Sequence, residues 1–315
     1  MLKYILRLLV GMTITLFVII SASFFVIRLM PQNIFDDPDL PHYIIERLEA
    51  RMGLHRPMHE QYFLFLSGIL QGDWGTSVRL RQAVPVFDVI RERLPITMAI
   101  NVASLFVSLP IGILTGTISA LKKDKMPDHV VSFMVILFIS VPSFVFASLM
   151  QYFLTFIFPI FPTLYDPTAA TIPAWIHSLT LPIVALALGP IGVVSRYLRG
   201  ELIETMSSEF LLLARTKGLS HRQAIIRHAF RNSCVPLVNI IIPMFTGIMG
   251  GSLVVERIFG IPGMGGILID SINAGDHPLT IAVLLFFSII SLLTILIMDI
   301  SYGLLDPRIK MGGKK

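Results

Sequence analysis

A single cysteine, Cys234, occurs in the 315 residues. It excludes an intrachain disulfide and any multi-cysteine metal site, and leaves Cys234 as a small packing residue. Charge is scarce too: Asp, Glu, Lys and Arg make up 14 % of the chain against 54 % for the apolar residues, and the mean hydropathy is +0.78. That balance excludes an ordinary soluble domain and implies a polytopic membrane protein. No Gly-x-x-x-x-Gly-Lys-Ser/Thr stretch is present, so the chain has no P-loop with which to bind ATP. No alternating ten-residue strand pattern appears, so helices, which satisfy their own backbone amides, are the expected spanning form.

Six apolar stretches are candidates to cross a hydrocarbon core of roughly 30 Å, which takes about 18 to 25 residues of helix. They run from about Leu8 to Ile27, Ile96 to Leu121, Val130 to Phe158, Leu179 to Val194, Val235 to Val255 and Leu279 to Ile300. The third has length to tilt or to end in an interfacial turn at Pro159 and Pro162. The fourth is short and interrupted by Gly189, Pro190 and Gly192. Lys3 and Arg7 ahead of the first run, with Ser21 to Ser23 behind it, also fit a cleavable signal peptide. Continuation through Phe24 to Ile27 gives this run the length of a span, which is the reading adopted.

Lys and Arg set the orientation. With the N-terminus inside, Lys3 and Arg7, the group Lys122, Lys123 and Lys125, the group Arg196, Arg199, Arg215, Lys217, Arg222, Arg227 and Arg231, and the tail Arg308, Lys310, Lys314 and Lys315 all fall on the cytoplasmic side. The rest, apart from Arg257, lie in one long outer segment, where the positive-inside rule is weak. The expected architecture is therefore an all-α polytopic membrane protein with six transmembrane helices and both termini cytoplasmic. Its parts are an N-terminal helix (1–30), an extracytoplasmic segment (31–94), the remaining spans (95–305) with a cytoplasmic loop at 196–234, and a cytoplasmic tail (306–315). In the outer segment Ile44, Ile45, Leu48 and Met52 keep helical spacing, and Glu60 to Leu70 predicts a second amphipathic helix ended by Gly72.

The cytoplasmic loop "ARTKGLSHRQAIIRHAFRNS", Ala214 to Ser233, reads as helix, turn, helix. Gly218 ends the first helix, and Ser220 caps the second with Gln223 as its reciprocal partner. Ile225, Ile226, Ala229 and Phe230 share one side of that second helix, and Gln223, Arg227 and Arg231 another. Its basic residues suit anionic lipid; nucleic acid is disfavoured, because no aromatic stacking platform accompanies them. Phe210 to Ala214 is apolar almost all round, which a solvated loop does not require and a protein-docking ridge does.

Other features have plainer readings. "FGIPGMGG", Phe259 to Gly266, lacks a following Lys-Ser/Thr and predicts a tight re-entrant or interfacial turn rather than a phosphate cradle. His55 and His59 beside Glu60 suggest metal ligation, but Pro57 spoils the shared helical face, so no metal site is assigned. His177 and His277 fall near outer boundaries. No motif sets a nucleophile beside a base, so no catalytic residue is assigned. Glu256 and Asp299 are the ionisable groups nearest the spans, read as interfacial carboxylates paired with Arg257 and Arg308. Gly112, Gly116, Pro142, Ser143, Gly189, Pro190, Gly247, Gly250 and Gly251 permit close packing or bending.

The loop resembles that of ABC importer permeases, whose general form is Glu-Ala-Ala, three residues, Gly, and a later Leu-Pro. Ala214, Gly218, Val235 and Pro236 fit it, while Leu212 stands where the general form has Glu, and Pro236 falls late. Both departures match the peptide and nickel branch, with its form like "ARAKGLS…RHALRNALIP". "MGLHRPMHEQYFLFLSGILQGDWGTS" (Met52 to Ser77), "VERIFGIPGMGGILIDSI" (Val255 to Ile272) and "MDISYGLLDPRIK" (Met298 to Lys310) are similar to that branch in the same order, over nearly the whole chain. The resemblance implies the ABC transmembrane type-1 fold and a permease subunit of a type I importer. Its partners would be a second homologous permease, two ATPase subunits that hold ATP and Mg, an extracytoplasmic peptide-binding protein and the lipid bilayer, with no nucleic acid. No cofactor is expected in this chain. The cargo implied is an oligopeptide or dipeptide, with nickel or another small solute as the same-fold alternative; a scaffold, receptor or channel is the alternative from another class. Carried over, the ATPase-coupling role falls on Ala214, Arg215, Lys217 and Gly218, with Phe210 and Leu213 as supporting contacts.

Overall fold

The computed structural model of the chain describes residues 2–29, 55–247 and 252–305. In chain order, α1 is Leu2–Leu29, α2 Met58–Leu70, α3 Val86–Leu121, α4 Met126–Ser140 and α5 Ser143–Gln151, which continues as a π-helical turn over Tyr152–Ile157. α6 is Ile172–Met206, α7 Glu209–Thr216 and α8 His221–Ala224, followed by a second π-helical stretch at Ile225–Phe230. α9 is Arg231–Gly247, α10 Leu253–Ile258, α11 Met264–Asn273 and α12 His277–Leu305. The chain divides into two compact units, residues 1–95 with 266–289 and residues 96–265 with 290–315.

In the first unit Ile20 of α1 packs with Ile281 and Leu285 of α12, flanked by Phe65, Leu66, Ile69 and Trp74. The amphipathic pattern of Glu60 to Leu70 accounts for α2: Tyr62, Phe65, Leu66 and Ile69 recur every three or four residues and turn inward, while Phe63, Leu64 and Leu70 are exposed. Phe24 stacks on Phe65 at 5.1 Å, and Ser21 Oγ lies 2.5 Å from the Tyr62 hydroxyl. Gly72, at φ +82°, turns the chain out of the helix as expected. The other predicted outer helix, around Ile44 to Met52, lies outside the described residues.

A buried carboxylate ties this unit together. Asp276 Oδ2 accepts hydrogen bonds from Ser77 Oγ at 2.5 Å and from the backbone N–H groups of Arg79 and Leu80 at 3.1 Å; Oδ1 accepts one from the Val78 N–H at 3.2 Å. Successive backbone amides form an anion-binding concavity, and the protein's own carboxylate fills it.

The second unit is built on α6. Gly112 and Gly116 of α3 let the two helices touch: a Cβ on Gly112 would lie 2.8 Å from Val194 Cβ, and one on Gly116 2.6 Å from the Ser195 carbonyl oxygen. Gly192 does the same for α4, with Ile139 Cγ1 2.9 Å from the place of its missing Cβ. At the far end Leu179, Leu181 and Ala185 pack with Ile100, Ala147, Val255, Phe259 and Ile261.

The predicted span boundaries need two corrections. The third span is not one tilted helix: α4 and the segment Ser143–Ile157 are bent by 100°. Pro142 causes the break, since it has no N–H to continue the ladder and holds Val141 extended at φ −95°, ψ 125°. The fourth span is not short. α6 runs unbroken for 35 residues through Pro182 and Pro190, because the close contacts of Gly192 and its buried neighbours outweigh local propensity. Among the described residues, four helices (α1, α3, α6 and α12) are long and apolar enough to cross a membrane, and the bent pair counts as a fifth where it forms one broken span. Of the predicted span Val235 to Val255, the 17-residue α9 covers Val235 to Gly247, and positions 248–251 lie outside the described residues.

Gly116→Val should lower the stability of the purified protein by about 1–3 kcal/mol, the ordinary cost of overpacking, because the Ser195 backbone cannot yield as a side chain would. At Gly189 a Cβ would meet no atom within 4 Å, so this position should accept alanine with no loss; thermal unfolding of both variants in detergent measures the contrast.

Candidate functional site

The loop after α6 folds as a short helix seated on its own apolar face. Leu211 and Ala214 of α7, three residues apart, join Leu202 of α6, Ala120 of α3 and, across the turn, Ala224, Ile225 and Ala229 in one buried cluster. The same helix leaves Phe210, Leu212 and Leu213 exposed at 41 %, 62 % and 55 %. An eight-residue helix therefore has both a seat and an outward apolar ridge, bordered by exposed Arg215 and Lys217.

Its turn has a covalent reason. Gly218 lies at φ +95°, in the left-handed region, and open space surrounds it, so backbone conformation rather than crowding calls for glycine. Ser220 Oγ accepts a hydrogen bond from the Gln223 N–H at 3.3 Å, and Gln223 Oε1 accepts one from the Ser220 N–H at 3.1 Å, the expected reciprocal cap. Of the side chains assigned to one side of the second helix, Ile225 and Ala229 are buried, Phe230 is half-buried and Ile226 is exposed. Among the coupling residues read from the sequence, Phe210, Leu213, Arg215 and Lys217 are on the surface, Ala214 is in the seat and Gly218 shapes the turn.

The sequence reading missed an ion pair that ties α3, α4 and α6 together. Arg199 Nε and Nη2 of α6 each donate to one oxygen of Asp128 on α4, both at 2.7 Å. Ser119 Oγ of α3 donates to Asp128 Oδ1, and the Asp124 N–H to Oδ2 at 2.9 Å. The Asp128 side chain is 3 % exposed. A charge-assisted fork of this kind fixes orientation as well as distance. Arg199 entered the sequence reading only as one of the Lys and Arg residues that set orientation, and Asp128 did not enter it, so their pairing was not seen.

A second buried carboxylate organises the glycine-rich stretch. Glu256, 1 % exposed, accepts hydrogen bonds from Thr97 Oγ1 and from the Gly265 N–H, both at 2.8 Å, while the Met264 N–H donates to Thr97 Oγ1 at 2.8 Å. The carboxylate is enclosed by protein, and these donors replace water. The stretch is the tight turn expected of it: Gly260 sits at φ +63°, and a Cβ on Gly265 would lie 2.7 Å from Leu253 Cα.

The remaining candidates separate. His55 and His59 are exposed, and among the described residues no group of three or more His, Cys, Asp or Glu is placed to hold a metal. His177 stacks on Phe161 at 4.9 Å. His277 is 8 % exposed at the head of α12, beside Asp276, which anchors the 77–80 loop. Asp299 is half-exposed, and its proposed partner Arg308 lies outside the described residues.

Several span-length apolar helices define a multi-pass membrane protein, and a seated loop helix with an outward ridge suits a transport subunit that works with partners. Comparison with known proteins supplies the family. Residues 108–311 match the binding-protein-dependent transport system inner membrane component family, and residues 1–101 match the N-terminal part of the membrane component of such systems. The chain belongs to this family. It is 37 % identical over 313 residues to the dipeptide transport system permease protein of Lactococcus lactis subsp. cremoris, covering 99 % of this chain and 100 % of that one. It is 30 % identical over 315 residues to the dipeptide transport system permease protein of Bacillus subtilis, covering 100 % of each. To the oligopeptide transport system permease protein of Haemophilus influenzae it is 31 % identical over 311 residues, 98 % of this chain and 100 % of that one. The chain is an ABC-transporter permease of the cell membrane and not itself an enzyme.

Arg199→Ala should destabilise the protein by about 3 kcal/mol, because Asp128 is left as an uncompensated buried charge. Arg199→Lys should recover only part, since one ammonium does not reproduce a two-pronged contact. Unfolding midpoints of the two purified variants provide the check.

Proposed function

We propose that this chain is a transmembrane subunit of an ATP-driven importer of dipeptides or oligopeptides. It crosses the membrane six times, keeps both termini in the cytoplasm and pairs with a second homologous permease. Two ATPase subunits hold the ATP and Mg, and an extracytoplasmic binding protein delivers the peptide. Full-length similarity to permeases named for dipeptides and oligopeptides supports the cargo over nickel.

The observation that carries the coupling role is the two-faced α7. Leu211 and Ala214 seat it on the bundle, and Phe210, Leu212 and Leu213 remain outward. Leaving three large apolar side chains in water forgoes about 1.5–3 kcal/mol each, a sacrifice that a groove on an ATPase removes. Phe210 and Leu213 make the apolar contact, Arg215 and Lys217 its charged rim, and Ala214 and Gly218 set its height and direction. When ATP draws the two ATPases together, α7 and the capped helix after Ser220 move with them. Outward-open and inward-open arrangements are then stabilised in turn, which is alternating access driven by differential binding.

Leu213→Asp should cut co-purification of the ATPase subunits and peptide-stimulated ATP hydrolysis at least tenfold while the chain still inserts in the membrane. Undiminished ATPase recovery and hydrolysis with this variant would refute the docking assignment.

A further inference from the structure

α6 has two opposed faces near its C-terminal end. Val194, Ser195, Leu198 and Leu202 are buried, and Arg199 is tied to Asp128. On the other face Arg196, Tyr197, Gly200, Glu201 and Glu204 recur at helical spacing and line an open groove of about 540 Å³. Ile139 of α4 and Ile240 of α9 form its apolar walls. The volume is that of a small-molecule site.

Two observations separate this groove from a solvated helix face. Among the described residues, none of the Arg196, Glu201 and Glu204 side chains forms an ion pair, although one cation and two carboxylates share the face, with Glu201 half-buried and Arg196 and Glu204 exposed to a ligand. Gly200 sits at the middle of the groove, yet a Cβ there would meet nothing within 4 Å. Unlike Gly112, Gly116 and Gly192, it is not needed by the protein's own packing. A helix-interior glycine costs about 1 kcal/mol relative to alanine, and here it keeps the groove floor low.

We propose that this groove binds a short zwitterionic peptide on its way through the membrane, the carboxylate on Arg196 and the ammonium on Glu201 and Glu204. The spacing fits. Along the helix axis Glu201 is about 7.5 Å and Glu204 about 12 Å from Arg196, while extended chains of two and three residues reach roughly 7 and 10 Å. Tyr197, Ile139 and Ile240 face the peptide's side chains. Two carboxylates against one guanidinium repel an anionic lipid headgroup or free phosphate, and favour a ligand that has a cationic end. The inference rests on the peptide-import reading and adds to it a site in this subunit.

The test uses the full complex of both permeases and ATPases in nanodiscs, without the binding protein, and titrates dialanine, alanyl-alanine amide and N-acetyl-dialanine. The wild type should bind dialanine about tenfold more tightly than either blocked form. Arg196→Gln should bind dialanine about tenfold more weakly and no longer distinguish it from the amide, which it should bind as the wild type does. Glu201→Gln with Glu204→Gln should likewise lose discrimination against the N-acetyl form, and Gly200→Leu should fill the groove and weaken all three ligands. Wild-type discrimination retained in Arg196→Gln, or a wild-type complex that imports dialanine with its binding protein but shows no binding here, overturns the site. A complex that imports no peptide at all overturns the import reading beneath it.

Discussion

A carboxylate removed from water must be given donors by the protein, and three such groups organise the described helices. Asp128 takes a hydroxyl, a backbone N–H and the Arg199 fork; Glu256 takes the Thr97 hydroxyl and the Gly265 N–H; Asp276 takes the Ser77 hydroxyl and three successive backbone N–H groups. In each case a hydroxyl and backbone amides share the negative charge. An unpaired acceptor at these positions costs more than an apolar contact gains, so each carboxylate selects one arrangement of the segments that supply its donors. Apolar surface makes the bundle, but it is weakly directional. These polar contacts choose among its packings.

α6 shows how such choices lead to function. Glycines on α3 and α4 allow it close neighbours, Arg199 fixes its rotation, and the opposite face is thereby committed to the groove of Arg196, Glu201 and Glu204. The chain then leaves α6 directly into α7, whose seat includes Leu202 of that helix. A displacement imposed on α7 from outside is consequently passed to α6 through packed side chains rather than through a flexible tether. In the coupling role proposed for α7, that packed contact is the route by which its motion reaches α6.

Much of the loop was legible in the sequence because its signals are local: a glycine that turns the chain, a serine and a glutamine three residues apart, and basic residues on either side. The orientation of α7 was not, since a run of five apolar residues on an eight-residue helix has no polar face from which to infer an inside. Ala214 looked like a contact residue and is part of the seat. Asp128 with Arg199 was hidden for the opposite reason, being 71 residues apart with each charge ordinary in its own segment. At Pro142 local chemistry prevailed and split a span, whereas at Pro182 and Pro190 tertiary packing carried the helix through. Proline alone does not tell these outcomes apart; the neighbours of the surrounding turn do.

Uptake of labelled dialanine into vesicles that contain this chain with its partner permease, ATPases and binding protein, measured with and without ATP, tests the central claim most directly. The account predicts accumulation beyond equilibrium with ATP and no uptake without it. Equal flux in the two conditions, stopping at equilibrium, would make the chain part of a channel and contradict ATP-coupled alternating access.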